Sequence, residues 1–143
     1  MTLVVATGTF DLLHPGHVLY LERSKALGDE LVVIVARDLN VRHKPKPILP
    51  EEQRRRMIEA LRPVDRAVLG EEQDIFKTIE QLKPDIITLG FDQHFDADRL
   101  EEELQRRGLH PRIVRIEEHE PCELCSSRRI MAKILERFRG RRI

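Results

Sequence analysis

Short apolar segments recur along the chain, and each is followed by a longer stretch of helical composition. The segment Leu31–Val35 is continuously apolar, which is typical of a strand whose two faces are both covered by helices. Alternation of strands and helices predicts a parallel sheet with right-handed crossovers. The predicted strands are Leu3–Ala6, Leu31–Ala36, Ala67–Leu69, Asp85–Leu89 and Arg112–Ile116, and the predicted helices span 17–28, 51–61, 73–82, 97–108 and 127–138. We expect one α/β domain over residues 1–143, a Rossmann-like three-layer α/β/α fold with a parallel sheet of about five strands.

The segment Gly8–His17 reads GTFDLLHPGH and joins the first strand to the first helix; we call it the HxGH turn. A strand that ends in glycine and turns into a helix presents unpaired backbone amides and the positive end of the helix dipole. His14 and His17 flank Pro15 and Gly16 in this turn. The imidazoles can cap the helix, bind a metal ion or hold phosphate oxygens. Because no third metal ligand lies nearby in the sequence, phosphate is favoured over zinc.

A basic loop, residues 42–49, follows the second predicted strand. It carries the cations Arg42, His43, Lys44 and Lys46, and Pro45 and Pro47 stiffen it. Lysines in such a loop are either solvated or part of a ligand site. The carboxyl ends of parallel strands form the ligand crevice of α/β sheets, and a basic loop beside a helix N-terminus suits polyphosphate.

Two further features are ambiguous from the residues alone. Arg54, Arg55 and Arg56 form a run on the second helix that is either a charged helix face or the source of one cation for the site, and helical geometry does not choose among them. Asp92 follows the fourth strand, where a carboxylate can accept hydrogen bonds from a base or ribose, or cap the next turn.

Near the end of the chain, Cys122 and Cys125 form a CxxC pair, which is half of a zinc site, a redox pair or simply a turn. Ser126 and Ser127 come next, and they either cap the last helix or donate to phosphate.

Composition narrows the class of protein. Lys+Arg and Asp+Glu both number 25, so no net charge attracts nucleic acid or a membrane surface. No apolar run approaches the roughly 20 residues of a membrane span. The two cysteines are too few for a secreted disulfide scaffold. We therefore expect a cytoplasmic protein that binds neither nucleic acid nor membrane.

The motif GTFDLLHPGH resembles the signature of the HxGH nucleotidyltransferases, the cytidylyltransferase-like α/β superfamily. The segment Cys125–Ile130, CSSRRI, is similar to the C-terminal Ser-Ser/Thr-Thr-Lys-Ile motif of that superfamily, with Arg129 in place of the usual lysine. Within the superfamily, the chain most resembles the archaeal FAD synthases, in LGDELVVIVARD, PILPEEQRR, the GxDQ segment and CxxCSS. Glycerol-3-phosphate cytidylyltransferase shares GTFDLLH-x-GH but lacks the CxxC pair, so it ranks second.

This resemblance implies that ATP adenylates FMN to give FAD and pyrophosphate, with a divalent cation, Mg²⁺, carried by the nucleotide phosphates. A cytidylyltransferase that acts with CTP on glycerol 3-phosphate or another alcohol phosphate is the alternative, and the family implies a homodimer. The resemblance also implies that the nucleotide is contacted by Thr9, Phe10, His14, Gly16, His17 and Asp92, and by His119 where the archaeal family usually has tyrosine.

Resemblance and residue patterns together give the predicted site. The catalytic residues are His14, His17 and Lys44. Pro15, Ser126 and Ser127 join the nucleotide contacts, Lys46 and Arg55 are assigned to a substrate phosphate, Cys122 and Cys125 are structural or lie beside the substrate, and no metal ion is held by the protein.

Overall fold

A five-stranded parallel sheet forms the centre of the computed structural model, which describes residues 1–42, 44–91, 93 and 96–142. The strands are β1 (Leu3–Gly8), β2 (Glu30–Val35), β3 (Arg66–Leu69), β4 (Ile86–Gly90) and β5 (Arg112–Ile116). They lie in the order β3-β2-β1-β4-β5, and all the pairings are parallel. The strand order reverses at β1, so the crevice at its carboxyl end is the expected ligand position.

Five α-helices connect and flank the strands in the described part of the chain. They are α1 (Pro15–Lys25), α2 (Glu51–Glu59), α3 (Ile75–Leu82), α4 (Ala97–Arg106) and α5 (Ser127–Arg137), and a short 3₁₀ turn spans Asp38–Asn40. Acidic N-caps explain where two of them begin. Asp74 accepts from the amide of Phe76, and Asp96 accepts from the amide of Asp98. Helix α1 begins two residues before the predicted position, because Pro15 suits the first helical position.

The two faces of the sheet carry separate apolar clusters, which makes the fold three layers. On one face Val4, Val33 and Val35 pack with Leu21 of α1 and Ile58 of α2. On the other face the next residue along each strand points the opposite way. There Val5, Val32, Ile34 and Ile87 pack with Ile79, Leu100 and Leu104 of α3 and α4. The predicted Rossmann-like α/β/α class and its five strands are therefore confirmed.

No helix in the part of the chain that the structure describes is both long enough and apolar enough to cross a membrane.

Candidate active site

Two histidines cap helix α1 at the carboxyl end of β1. The amide of Gly16 donates to Nδ1 of His14 at 3.1 Å, and the amide of His14 donates to Nδ1 of His17 at 3.3 Å. This is the reciprocal pattern of a capping box, with imidazoles in place of the usual hydroxyl and carboxylate. Because each Nδ1 accepts a hydrogen bond, each neutral ring carries its proton on Nε2. The two ring centroids lie 3.8 Å apart. The helix-capping interpretation is confirmed, because both Nδ1 atoms accept from backbone amides.

Close packing inside the HxGH turn explains its two glycines. A Cβ on Gly16 would lie 2.9 Å from the His14 ring, and a Cβ on Gly8 would lie 2.7 Å from the Phe10 ring. Phe10 itself has a φ of 56°, in the left-handed region, and only 4% of its surface is exposed. Its ring meets the His17 ring with 5.5 Å between centroids. The buried Phe10 side chain therefore packs against His17, and the predicted contact of Phe10 with a nucleotide stays a prediction.

The surroundings of His17, which is partly buried, determine its charge. Burial, assisted by the charges of His14 and Lys44, lowers the pKa of His17 to about 3. His17 is therefore a neutral hydrogen-bond donor near pH 7, whereas the sequence had also allowed a cationic imidazole.

The first turn of α5 packs against the HxGH turn. The Ser127 hydroxyl donates to the Leu12 carbonyl at 3.0 Å, and the Cys125 carbonyl would lie 3.7 Å from a Cβ on Gly16. Ser126 is the N-cap of α5, and its Oγ accepts from the Arg129 amide at 3.4 Å. The structure thus brings the N-terminal ends of α1 and α5 to one place, which favours anion binding there.

Cys122 and Cys125 form a disulfide that closes the turn before α5, with their Cα atoms 5.3 Å apart. The Arg129 guanidinium donates to the carbonyls of Cys122 and Glu123 at 3.4 Å each. The disulfide fits both a redox pair and a turn, so the roles predicted for these cysteines stay predictions. Among the described residues, no group of three or more His, Cys, Asp or Glu is arranged to hold a metal ion.

The three arginines of α2 have different surroundings. Arg54 is completely buried and its guanidinium donates to Thr9, Leu49 and Asp38. Arg55, which the sequence assigned to a substrate phosphate, instead pairs with Glu52 at 2.8 Å and Glu59 at 3.2 Å. These ion pairs hold its pKa above the usual range. The structure therefore brings Arg54, and not Arg55, to the HxGH turn.

Three further residues of the predicted site, Lys44, Lys46 and His119, lie at the protein surface. Lys44 and Lys46 are exposed, and Lys46 donates to the Asp38 carbonyl at 2.8 Å. The exposed His119 ring lies 5.0 Å from that of Phe91, at the end of β4. Asp92 and His43 lie outside the described residues, so the predicted contact of Asp92 with the nucleoside stays a prediction.

Sequence reasoning missed two residues that shape the turn after β4. Gln93 accepts from the Gly90 amide at 2.6 Å and donates to the Thr7 hydroxyl at 3.4 Å. Arg115 donates to the carbonyls of Gly90 and Gln93 at 2.8 and 3.2 Å. The GxDQ segment was a signal for Gln93, because it was part of the family resemblance. Arg115 gave no signal, since an arginine in an edge strand is ordinary.

Comparison with known proteins identifies the family of this chain. A family model described as cytidylyltransferase-like matches residues 5–133. The FAD synthase of Methanothrix thermoacetophila is 67% identical over 136 residues, which are 95% of each chain. The FAD synthase of Archaeoglobus fulgidus is 60% identical over 96% of this chain and 100% of its own. The chain belongs to the cytidylyltransferase-like family, among the archaeal FAD synthases. It is a nucleotidyltransferase.

Two solved structures are similar to the fold of this chain. The lipopolysaccharide core biosynthesis protein from Thermoplasma volcanium is 50% identical, with a TM-score of 0.80. The alignment covers 84% of this cytidylyltransferase-like chain and 99% of that one. A protein of unknown function from Archaeoglobus fulgidus, 19% identical with a TM-score of 0.64, shares the fold; 81% of this chain and 89% of that one are covered.

Proposed function

We propose that the protein is an FMN adenylyltransferase, which transfers AMP from ATP to the phosphate of FMN and releases pyrophosphate. The FAD synthase relatives support the substrates. The observation that carries the reaction type is the pair of closely spaced imidazoles at the start of α1, whose Nδ1 atoms both accept from backbone amides. Imidazole N–H donors beside a helix N-terminus suit the oxygens of a polyphosphate.

The reaction is an in-line displacement at the α-phosphorus of ATP. An oxygen of the FMN phosphate forms the new P–O bond, while the bond to the bridging oxygen breaks and its electron pair leaves with pyrophosphate. The FMN phosphate is already anionic near neutral pH, so no general base is needed. The protein has to position the two substrates and offset charge on the transferring group.

His14 and His17 supply the central donors. In our proposal their Nε2–H groups hold phosphate oxygens, with His17 nearest the α-phosphate. Because His17 is partly buried and packs against Phe10, its donor is held in place before the nucleotide arrives. Such preorganised donors stabilise charge that develops in the transition state without needing to reorient.

Lys44 and Lys46 provide the positive charge that a neutral His17 lacks. The charge of Lys44 contributes to the lowered pKa of His17, which supports Lys44 as the cation for the β- and γ-phosphates or for the phosphate of FMN. Lys46 must exchange its hydrogen bond to the Asp38 carbonyl for one to phosphate. The Ser126 hydroxyl can still donate while its oxygen accepts from Arg129, whereas Ser127 would have to release Leu12 first.

The donor set of the site suits phosphate better than a protein-bound metal ion. Imidazole N–H groups, ammonium groups and helix amides are donors, and both Nδ1 lone pairs already accept from backbone amides. We propose that Mg²⁺ enters as the ATP complex, held by phosphate oxygens and water. The cation then offsets charge on the phosphates, and the chain contributes the donors described above.

A nucleotide and acceptor panel tests the proposed function. Purified protein is incubated with MgATP or MgCTP against FMN or glycerol 3-phosphate, and both FAD and pyrophosphate are measured. We expect FAD only from ATP with FMN. Formation of CDP-glycerol would instead support the cytidylyltransferase, which the FAD synthase relatives do not favour. Absence of pyrophosphate with every pair would contradict a transferase.

The family resemblance also leads us to propose a homodimer that acts in the cytoplasm. Light scattering of the purified protein tests the first part, since a mass of one chain, 16.8 kDa, would contradict it. Fractionation of the source cells tests the second.

A further inference from the structure

Two charged side chains that are not among the predicted site residues connect the basic loop to the HxGH turn. They are Arg54 of α2 and Asp11 of the turn itself. We propose that they are positioning residues, which clamp the segment Lys44–Leu49 so that its lysines face the phosphates held at His14 and His17. This inference rests on the proposed function of that site. It adds residues whose effect on the reaction would pass through Lys44 and Lys46.

Arg54 supplies one side of the clamp. None of its surface is exposed, although it is a cation on a surface helix. Its NH1 donates to the Thr9 carbonyl at 2.7 Å, and its Nε donates to the Leu49 carbonyl at 2.9 Å. Its NH2 donates to Asp38 Oδ1 at 2.6 Å. These partners belong to the HxGH turn, the end of the basic loop and the segment after β2, so one rigid guanidinium fixes three segments.

Asp11 supplies the other side. Its Oδ2 accepts from the Ile48 amide at 2.8 Å, and its Oδ1 accepts from the Leu49 amide at 2.9 Å. The amide of Leu49 is thus held by the HxGH turn, while its carbonyl is held by α2. The loop end cannot shift along the turn without breaking hydrogen bonds to a charged group, which are stronger than neutral ones.

Asp38 extends the clamp to a lysine. Its carboxylate accepts from Arg54 and its carbonyl accepts from Lys46, so the buried guanidinium and the exposed ammonium share one residue. The geometry is specific to arginine, because its three guanidinium nitrogens each donate to a different residue. A lysine at position 54 would have a single nitrogen for the same three partners. Without the clamp, the lysines would have to be ordered each time substrates bind.

A double-mutant cycle tests whether Arg54 acts through the lysines. Arg54→Lys is made in the wild-type chain and in a Lys44→Ala/Lys46→Ala chain, and kcat and KM for FAD formation are measured. We expect a loss in kcat of about 10- to 100-fold in the first background, and of less than about 3-fold in the second. Equal losses in the two backgrounds, or no loss in either, would overturn the proposal. Arg56→Lys, an exposed change on the same helix, is the matched control and should keep wild-type rates.

A second variant covers the case in which Arg54→Lys does not fold. Asp11→Asn keeps the shape of the side chain but only one acceptor oxygen, so it loses one of the two loop amides. We expect a similar loss in kcat and at least about 10-fold faster hydrogen exchange at the amide, Ile48 or Leu49, that loses its acceptor, with melting temperature little changed. Unchanged exchange would overturn the clamp. This readout needs no turnover, so if wild-type protein makes no FAD, the proposed function fails while the exchange result still decides the clamp.

Discussion

The Ser127 hydroxyl donates to the Leu12 carbonyl, which joins residues 115 positions apart and ties the last helix to the HxGH turn. The site is thereby built from both ends of the chain. Helix α1 contributes the histidines, and α5 closes the same crevice with its N-terminal turn.

Ser127→Ala should separate this tie from ordinary helix capping. Removing the hydroxyl costs about 1 kcal/mol and frees the start of α5 from the HxGH turn. Asp96→Ala is the control, because it removes the N-cap of α4 at a similar cost without breaking the tie or touching the proposed site. We expect similar midpoints of urea unfolding but a lower kcat for Ser127→Ala. Equal kcat values would show that the tie has no part in turnover.

His17→Ala should lose turnover with little loss of folding. Removal of one preorganised donor typically costs on the order of 10²–10³ in rate. FAD formation measures the loss, and circular dichroism checks the fold. His110→Ala, at an exposed position outside the site, should match the wild type. Near-normal kcat in His17→Ala would contradict the mechanism.

Protonation of His17 should make stability depend on pH. Its pKa is about 3 in the folded state, against 6.5 for an unperturbed histidine, so the unfolded chain binds the extra proton. The contribution is fully present above pH 6.5 and is lost as pH falls towards 3, with a slope of up to about 1.4 kcal/mol per pH unit. Urea unfolding of the wild type and of His17→Gln between pH 7 and 4 tests this. The variant should show a shallower decline, and parallel curves would contradict the lowered pKa of His17.

Gly16→Ala should disrupt the imidazole cap directly. The added Cβ would lie 2.9 Å from the His14 ring, closer than real contacts allow, so the ring must move. We expect a loss of about 1–3 kcal/mol in the free energy of unfolding. Gly70→Ala is the control, since its Cβ would meet the nearest atom at an ordinary 3.5 Å. If the two variants have the same free energy of unfolding, the close contact at Gly16 does not affect stability.

Most of the fold could be predicted because its signals are local. Continuous apolar strands such as Leu31–Val35 and the helical stretches between them identify the layers without tertiary information. The HxGH turn is also local, so His14 and His17 could be assigned to a phosphate site from a span of 10 residues.

Several features of the site could not be predicted, for reasons of geometry. The choice between Arg54 and Arg55 depends on the exact rotation of α2 about its axis, and adjacent residues on a helix point about 100° apart. Phe10 adopts a left-handed φ that its residue type does not favour. Ser127 and Leu12, which form a hydrogen bond, are 115 positions apart in the sequence. Each of these depends on contacts between segments distant in the sequence.

The position of β1 at the centre of the sheet determines which strand edge the growing chain exposes during synthesis. Strand β1 emerges first, and β2 soon covers one of its edges, but the other edge pairs with β4, which begins at Ile86. Until then, the nascent chain carries Val4 and Val5 on an open edge, where another strand could add. The HxGH turn therefore follows the strand whose second pairing partner is synthesised latest after it.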